Sequence, residues 1–262
     1  MTHLPDPASL LGPLRDLAKR AGAAILDIYR GEIAVETKLD NSPVTAADLA
    51  ADEVIEAGLA ALTPDIAVIS EEAFDGKPLP ERFDDRFWLV DPLDGTREFI
   101  DRNGDFTVNI ALIEHRRPIL GVIHIPVQAT TYSGLRDCAG AGAWREEEGG
   151  RPHAVAVRRP PPAGLSVAVS RSHLNAATRR YLEGLKVARR HQAGSSLKFC
   201  VVAAGEVDIY PRLGPTMEWD TAAGHAILCA AGGSVRTEDG AELLYAKPGL
   251  KNPNFIARGA EG

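Results

Sequence analysis

The sequence has few of the residues that mark several common classes of protein. Its 262 residues include three cysteines, Cys138, Cys200 and Cys229. This odd number, without the spacing of a metal site, fits a reducing cytoplasm. No stretch approaches about 20 uninterrupted apolar residues, so no transmembrane segment is predicted. The net charge is −7, whereas proteins that bind nucleic-acid polymers are usually basic. The first residues lack the basic and apolar regions of a secretion signal.

These absences predict a cytoplasmic protein, with peripheral attachment at the inner face of the cell membrane left open. Motifs of other catalytic classes are also missing. There is no Gly-x-Ser-x-Gly turn, no Gly-x-x-x-x-Gly-Lys-Ser/Thr loop and no Gly-x-Gly-x-x-Gly. A cysteine nucleophile is disfavoured because Cys200 and Cys229 lie among apolar helical neighbours. The chain length allows one large domain or two smaller ones.

The most informative segment is Asp91-Pro92-Leu93-Asp94-Gly95-Thr96, which follows the apolar run Phe87–Val90. Pro92 favours an extended Asp91 and predicts that the strand breaks there. Gly95 allows a tight turn. The two carboxylates, a backbone carbonyl and a hydroxyl form an oxygen ligand set that suits a hard cation such as Mg²⁺. An acidic turn alone is more often only a solvated turn.

Acidic residues also stand at the ends of other predicted elements. Glu71 and Glu72 follow the short apolar strand 66–70, Asp48 lies at the beginning of a helix, and Asp220 opens an alanine-rich helix. An aspartate at a helix start can simply cap it, and this is as good a reading as metal binding for Asp48 or Asp220 alone. Adjacent strand residues face opposite ways, so Glu71 and Glu72 are not both expected to point inward.

The periodicity predicts an α+β chain. Helices are expected near 10–29, after Pro43, briefly after Gly95, and near 176–185, 195–204 and 221–231; Pro13 predicts a late start or a break in the first. Strands are expected near residues 33–38, 66–70 and 87–90, the last two directly before Glu71 and Asp91. Further strands are expected near 106–113, 119–125, 130–135, 142–145, 165–169, 207–211, 234 and 255. The linker-like run Arg158-Arg159-Pro160-Pro161-Pro162 places a domain boundary between 1–157 and 158–262.

Taken together, these motifs resemble the inositol monophosphatase superfamily, the Mg²⁺-dependent, lithium-sensitive phosphatases. Within it, the sequence is most similar to the bacterial CysQ type, the 3′(2′),5′-bisphosphate nucleotidases. The resemblance spans nearly the whole chain, and it is carried by residues 41–48, 70–72, 88–100, 102–104, 106–113, 170–173, 194–200 and 219–225. It implies a layered α-β-α-β-α sandwich of the inositol monophosphatase and fructose-1,6-bisphosphatase type. The metal site would lie between an N-terminal α+β domain, with most of the ligands, and a C-terminal α/β domain with Asp220 and the nucleotide pocket.

The resemblance also implies a site with two or three Mg²⁺ ions. Its metal ligands would be Glu71, Asp91, the Leu93 carbonyl, Asp94 and Asp220, with Asp91 bridging two ions. Its catalytic residues would be Glu71, Thr96 and Asp48, with Thr96 paired to Asp48 and orienting the attacking water. Its substrate contacts would include Glu71, Leu93, Asp94, Gly95, Thr96 and Asp220.

The implied reaction is hydrolysis of the 3′-phosphate of adenosine 3′,5′-bisphosphate, with 3′-phosphoadenylyl sulfate as a further substrate and a role in sulfate assimilation. Ser195 and Ser196 are predicted to begin a helix and, with Lys198, to bind an anion. His173 is as easily a loop histidine as a substrate contact, Arg212 is better read as a surface residue, and His225 as structural.

Two alternatives remain open. One is a phosphatase of the same fold that acts on inositol phosphates or sugar phosphates. The other is a non-catalytic sensor of a phosphorylated ligand, against which the complete acidic set argues. The expected partner is a small-molecule nucleotide, and the expected assembly is a monomer or homodimer.

Overall fold

The computed structural model of the protein describes residues 5–32, 35–37, 43–74, 83–136, 139–171 and 175–260. Its α-helices in these ranges are α1 (Pro7–Tyr29), α2 (Ala46–Leu62), α3 (Thr96–Ile100), α4 (Ala176–Glu183), α5 (Leu197–Ala203) and α6 (Trp219–Ala230). Within the same ranges, none of these helices combines the length and the apolar character needed to cross a bilayer.

The strands form two large sheets and a small pair. The pair consists of β1 (Val35–Thr37) and β2 (Pro43–Thr45). The seven-stranded sheet follows chain order: β3 (Ala67–Ser70), β4 (Arg86–Asp94), β5 (Thr107–Glu114), β6 (Arg117–Ile125), β7 (Thr130–Leu135), β8 (Gly142–Glu146) and β9 (His153–Val155). Among the described strands of this sheet, only β3 and β4 pair in parallel. The five-stranded sheet has the order β11 (Val187–Ala193), β10 (Leu165–Ser170), β12 (Ile209–Arg212), β14 (Phe255–Arg258) and β13 (Ser234–Thr237).

The helices and sheets stack in five layers. Helices α1 and α2 cover one face of the seven-stranded sheet and share its apolar core. Helices α5 and α6 lie between the two sheets. Apolar residues of the five-stranded sheet pack with Leu182 of α4 on the outer side. The predicted α+β class and the implied α-β-α-β-α layering are therefore confirmed.

Strand β4 shows why the residues before the acidic segment are continuously apolar. Trp88 and Val90 belong to the core under α1 and α2, whereas Phe87 and Leu89 belong to the core shared with α5 and α6. Because side chains alternate along a strand, a strand covered on both faces needs apolar residues at every position. This burial fixes the place at which Asp91 emerges.

Helix α6 packs unusually close to its neighbours through small residues. A methyl group added at Gly121 of β6 would lie 2.4 Å from the carbonyl oxygen of Ala223. One added at Gly224 would lie 2.4 Å from the ring of Phe199. Glycine at these positions lets α6 approach the backbone of β6 and the ring of Phe199 more closely than any side chain would allow. The position of α6, and of Asp220 in its first turn, depends on this close contact.

Two predictions about proline were wrong. Helix α1 begins at Pro7 and continues through Pro13. The missing N–H of Pro13 deprives only the carbonyl of Ser9, and both residues are exposed, so water can satisfy that group. Strand β4 likewise does not end at Pro92 but runs to Asp94, with an irregular register between Asp91 and Asp94. A bulge accommodates the lost backbone donor.

Other differences concern edges and boundaries. The predicted helix from Ser195 begins at Leu197, and the edge strands β9 and β11 were not predicted. The predicted strand 33–38 is described only over Val35–Thr37. The two large sheets lie on either side of residue 157, but one buried cluster combines Ile123 and Tyr132 with Tyr210 and Phe255. The division into domains 1–157 and 158–262 stays a prediction.

Candidate metal centre

Three carboxylates from distant parts of the chain meet at the end of β4. Glu71 follows β3, Asp91 lies in β4, and Asp220 lies in the first turn of α6. One carboxylate oxygen from each lies within 4.8 Å of the others. Parallel pairing of β3 and β4, with Ser70 opposite Val90, brings Glu71 beside Asp91, and the close packing of α6 adds Asp220. This all-oxygen group is the kind of site that holds a hard divalent cation.

Bringing these acids together has an electrostatic cost. Burial, and then the charges of Glu71 and Asp94, raise the pKa of the Asp91 carboxyl well above its usual range. Burial and the charges of Asp94 and Glu71 also raise the pKa of Asp220. The backbone N–H of Met217 donates to Asp220 at 2.8 Å and partly offsets this effect. Such mutual repulsion is what a bound cation would relieve.

The turn after β4 brings a hydroxyl to the carboxylate of α2. Gly95 has a φ of 94°, a left-handed conformation that favours glycine, and Thr96 begins α3. The Thr96 hydroxyl donates to Asp48 Oδ1 at 3.2 Å. Asp48 Oδ2 accepts hydrogen bonds from the backbone N–H and the hydroxyl of Thr45, at 2.8 and 2.7 Å. Asp48 is therefore both a helix-capping residue and the partner of Thr96.

Asp94 is held differently from the three clustered acids. Its Oδ2 accepts hydrogen bonds from the Ser195 hydroxyl and the Ser196 backbone N–H, both at 2.7 Å, and lies 2.6 Å from the Ser196 hydroxyl. Asn109 Nδ2 adds a contact at 3.3 Å. Asp94 lies outside the group of three in the described part of the chain. Its role as a metal ligand stays a prediction.

The serine pair was expected to begin a helix and offer its donors to an anion, but its position is different. Ser196 precedes α5 and Ser195 has a φ of 47°. Their donors are turned to the Asp94 carboxylate, which already supplies a negative charge. The preceding loop is fixed by Asp105, which accepts hydrogen bonds from Gly194 N and from Arg171, each at 2.9 Å. The segment before the seven-residue helix α5 therefore directs its serine donors to Asp94 rather than leaving them free for an anion at the helix N-terminus.

Lys198 lies within the protein rather than extending into solvent. Its Nζ donates to the carbonyl of Ser195 at 2.5 Å and to that of Ala193 at 3.3 Å, and it lies 5.3 Å from the Tyr210 ring centre. Burial lowers its pKa to about 8, and the charge of Asp94 opposes this shift. Lys198 therefore places a positive charge beside the site from within the protein interior.

A cavity of about 340 Å³ joins these groups. It is lined by predicted metal and substrate residues, namely Glu71, Asp91, Leu93, Asp94, Gly95, Thr96, Ser195, Ser196, Lys198 and Asp220. Ser170, Tyr210, Arg212 and Thr216 also line it. Arg212, which was read as a surface residue, is half-buried and lines this cavity. Its Nε is buried without a hydrogen-bond partner among the described residues.

The remaining predicted residues fall outside the cluster or outside the described residues. Glu72 begins a short 3₁₀ turn and is not part of the acidic group. His173 lies outside the described residues. Trp219 is buried against Phe74, with ring centres 5.4 Å apart, as expected of a residue that fixes Asp220. His225 is fully buried and lies 3.1 Å from the Tyr245 hydroxyl.

The polar pair Thr107 and Asn109 was not assigned a role from sequence. Both are buried on one face of β5, where the neighbouring positions are apolar. The Thr107 hydroxyl lies 2.6 Å from that of Ser195, and Asn109 Nδ2 donates to the Ser196 hydroxyl at 3.0 Å. Two polar residues at alternate positions of a buried strand were the signal that could have identified them.

Comparison with known proteins agrees with this geometry. The sequence profile of the inositol monophosphatase family matches residues 6–260. The chain belongs to the inositol monophosphatase family. Among curated family members, it is 49% identical over 251 residues to the 3′(2′),5′-bisphosphate nucleotidase CysQ of Escherichia coli K12, covering 94% of this chain and 98% of the relative. The protein of the same name from Haemophilus influenzae is 34% identical, with coverage of 95% and 93%. The resemblance to the CysQ type is thus confirmed.

Solved structures of the family have the same fold. CysQ from Bacteroides thetaiotaomicron superimposes with a TM-score of 0.80 at 38% identity, covering 97% of this chain and 98% of that one. The inositol monophosphatase from Anabaena gives 0.75 at 26% identity, with coverage of 96% and 90%. In the described part of this family member, the acidic cluster at the end of β4 is a site that could hold a metal ion.

Proposed function

We propose that this chain is a Mg²⁺-dependent 3′(2′),5′-bisphosphate nucleotidase that hydrolyses the 3′-phosphate of adenosine 3′,5′-bisphosphate to AMP and phosphate. The observation that carries this proposal is the convergence of Glu71, Asp91 and Asp220 within 4.8 Å. This group shares its cavity with Thr96, the partner of Asp48. The CysQ relatives support the choice of substrate. We also propose 3′-phosphoadenylyl sulfate as a substrate, which would link the protein to sulfate assimilation.

The donor set fits two or three Mg²⁺ ions. Glu71, Asp91 and Asp220 would provide carboxylate oxygens, and the Leu93 carbonyl and Asp94 would complete the set. The raised pKa values of Asp91 and Asp220 fit acids arranged for a cation rather than for each other. When bound, Mg²⁺ would favour ionisation of water and neutralise charge on the phosphoryl group and the leaving oxygen.

The chain's own groups would then position the reactants. The Thr96 hydroxyl donates a hydrogen bond to Asp48, so the Thr96 oxygen can accept a hydrogen bond from the attacking water. Glu71 would act beside it. Water would add to phosphorus as the bond to the 3′ oxygen breaks. The proton that the water gives up, with Glu71 as its acceptor, balances the proton that the 3′ oxygen takes up to become the hydroxyl of AMP. Positioning and charge account for most phosphoryl-transfer catalysis.

A second phosphate on the substrate needs its own positive charge. Arg212 lines the cavity with an unpartnered buried Nε among the described residues, and its Nη2 donates to the Pro215 carbonyl at 2.9 Å. This contact holds the guanidinium group in place, and its other N–H groups remain as donors for a phosphate. We propose that Arg212, with the charge of Lys198, binds the 5′-phosphate. Inositol 1-phosphate has no group to use this charge.

Phosphate release from three substrates tests the proposal. With Mg²⁺, adenosine 3′,5′-bisphosphate should be hydrolysed faster than inositol 1-phosphate, and Li⁺ should inhibit. Arg212→Gln should lower kcat/KM for the bisphosphate by about 10- to 100-fold, the value of a charged hydrogen bond, but should leave adenosine 3′-phosphate hydrolysis unchanged. Arg189→Gln, at an exposed arginine of β11, is the matched control.

Two outcomes would contradict the proposal. Equal rates with inositol 1-phosphate would indicate a sugar phosphate phosphatase of the same fold. Binding of the bisphosphate without turnover would indicate a non-catalytic sensor. A cytoplasmic location, attachment to the inner face of the membrane, and the monomeric or homodimeric state stay predictions.

A further inference from the structure

A second cavity lies along the other half of α6. Its volume is about 450 Å³, within the range of small-molecule sites. Its polar lining residues include Arg136, His225, Ser234, Arg236 and Glu242. Among the described residues, none that lines it also lines the acidic cavity described above. It is therefore a separate site on the same helix.

Two buried polar atoms in this lining have no partner among the described residues. His225 is fully buried, and its Nε2 makes no hydrogen bond within the described part of the chain. The hydroxyl of Ser234 is also buried and unpartnered in those residues. Leaving such a group unsatisfied is energetically costly, so native proteins nearly always provide a partner. Both residues line the same cavity, and a ligand bound there would supply the missing partners.

The neighbours of His225 determine which of its two ring nitrogens carries the hydrogen. Burial, and then the charge of Arg136, lower the pKa of His225 to about 3, so the ring is neutral near pH 7. Nδ1 lies 3.1 Å from the Tyr245 hydroxyl, which is 3.3 Å from Thr221 Oγ1. The imidazole nitrogen is the closer and the more basic of these two acceptors. We assign Nδ1 as the acceptor of the hydrogen bond that the Tyr245 hydroxyl donates, which places the ring N–H at Nε2.

The charge of the lining favours an anion. Arg136 and Arg236 both line the cavity. Glu242 also lines it, but its carboxylate is paired with Arg117 at 2.9 Å and lies 3.7 Å from Arg136. Two arginines, the His225 N–H and the Ser234 hydroxyl supply donors for several acceptor oxygens, and Arg side chains match tetrahedral oxyanions well.

We propose that this cavity binds a small molecule through a phosphate or sulfate group, with His225 Nε2 and Ser234 Oγ as donors and the two arginines as counter-charges. The site is independent of the proposed nucleotidase activity. Free phosphate, sulfate and AMP share the required chemistry, and each serves as a probe.

Nitrogen NMR of the full chain labelled at histidine tests this site. The Nε2 resonance of His225, assigned by its loss in His225→Gln, should shift and saturate on titration with phosphate, sulfate or AMP at constant ionic strength. Ser234→Ala combined with Arg236→Gln should weaken binding by about tenfold or more. Arg189→Gln should bind like the wild type.

The control titration separates this site from others. Sodium chloride at the same ionic strength should leave the resonance unchanged. The proposal is overturned if none of the three probes shifts the resonance, or if chloride reproduces the shift, because water or an adventitious ion would then fill the cavity. It is also overturned if the double variant binds as tightly as the wild type, because the shift would then originate in the acidic cavity.

Discussion

Replacing Asp91 by asparagine should stabilise the metal-free protein, although most changes at buried residues destabilise. The three carboxylates of Glu71, Asp91 and Asp220 lie within 4.8 Å. At that separation and an effective dielectric constant of about 20, each ionised pair repels by about 3 kcal/mol. The substituted side chain would keep the hydrogen bond that Asp91 accepts from Leu93 N, 3.1 Å long in the wild type, because an amide oxygen is also an acceptor. Proton uptake already relieves part of the repulsion in the wild type. We therefore expect Asp91→Asn to raise the free energy of unfolding of the metal-free protein by about 2 kcal/mol.

The effect should grow with pH. The folded pKa of Asp91 is raised, so between its unfolded and folded pKa values the native state binds protons that the unfolded chain has released. Without metal, the stability of the wild type therefore falls as pH rises through the folded pKa. Asp91→Asn removes this loss, and the difference between the two proteins is largest at high pH.

Urea unfolding in EDTA at several pH values, and again with Mg²⁺, measures these effects. Mg²⁺ should stabilise the wild type, by about 2.7 kcal/mol at 100 times Kd, and should stabilise Asp91→Asn far less. The matched control is Asp208→Asn. Asp208 is buried but accepts hydrogen bonds from Arg158 and Ser166 N, at 2.8 and 2.7 Å, so this change should destabilise. If Asp91→Asn in EDTA loses as much stability as Asp208→Asn, the carboxylates do not repel as argued.

Gly121→Ala should destabilise the protein by about 1–3 kcal/mol through overpacking against α6. Gly12→Ala, with open space around the added methyl group, should stabilise α1 by up to about 1 kcal/mol. Thermal unfolding that finds Gly121→Ala the more stable of the two contradicts the packing argument. Thr96→Val should lower kcat by about 10²- to 10⁴-fold while Thr96→Ser retains activity, and equal rates would exclude a role for the hydroxyl. Burial lowers the pKa of His124 to about 4, so stability should fall as pH drops from about 6.5 to 4. His124→Gln should flatten that dependence in unfolding measurements, and an unchanged profile would argue against it.

Sequence periodicity was sufficient to predict the structure where a residue's environment is set by its neighbours in the sequence. The apolar runs before Glu71 and Asp91 predicted strands because both faces of β4 are covered. The dual position of Asp48, at a helix start and beside Thr96, followed from the residue pattern together with the family resemblance. Both concern positions at the ends of regular elements, where sequence carries the most information.

Contacts between distant segments could not be predicted in this way. The donors of Ser195 and Ser196 turn to Asp94, about a hundred residues earlier, and no local pattern specifies that partner. Strand β11 contains the polar run Arg189-Arg190-His191 and pairs with a single neighbour, so it lacks the apolar alternation of a central strand. Pro92 was misread because a bulge, set by pairing with β5, keeps the strand intact.

Anomalous diffraction from crystals soaked in Mn²⁺, a divalent stand-in for Mg²⁺, tests most directly whether the acids at the end of β4 share cations. We expect a peak within coordination distance of Glu71, Asp91 and Asp220, and a second between Asp91 and Asp94. Absence of any peak among these carboxylates at saturating Mn²⁺ would contradict the metal centre and the hydrolysis proposed for it.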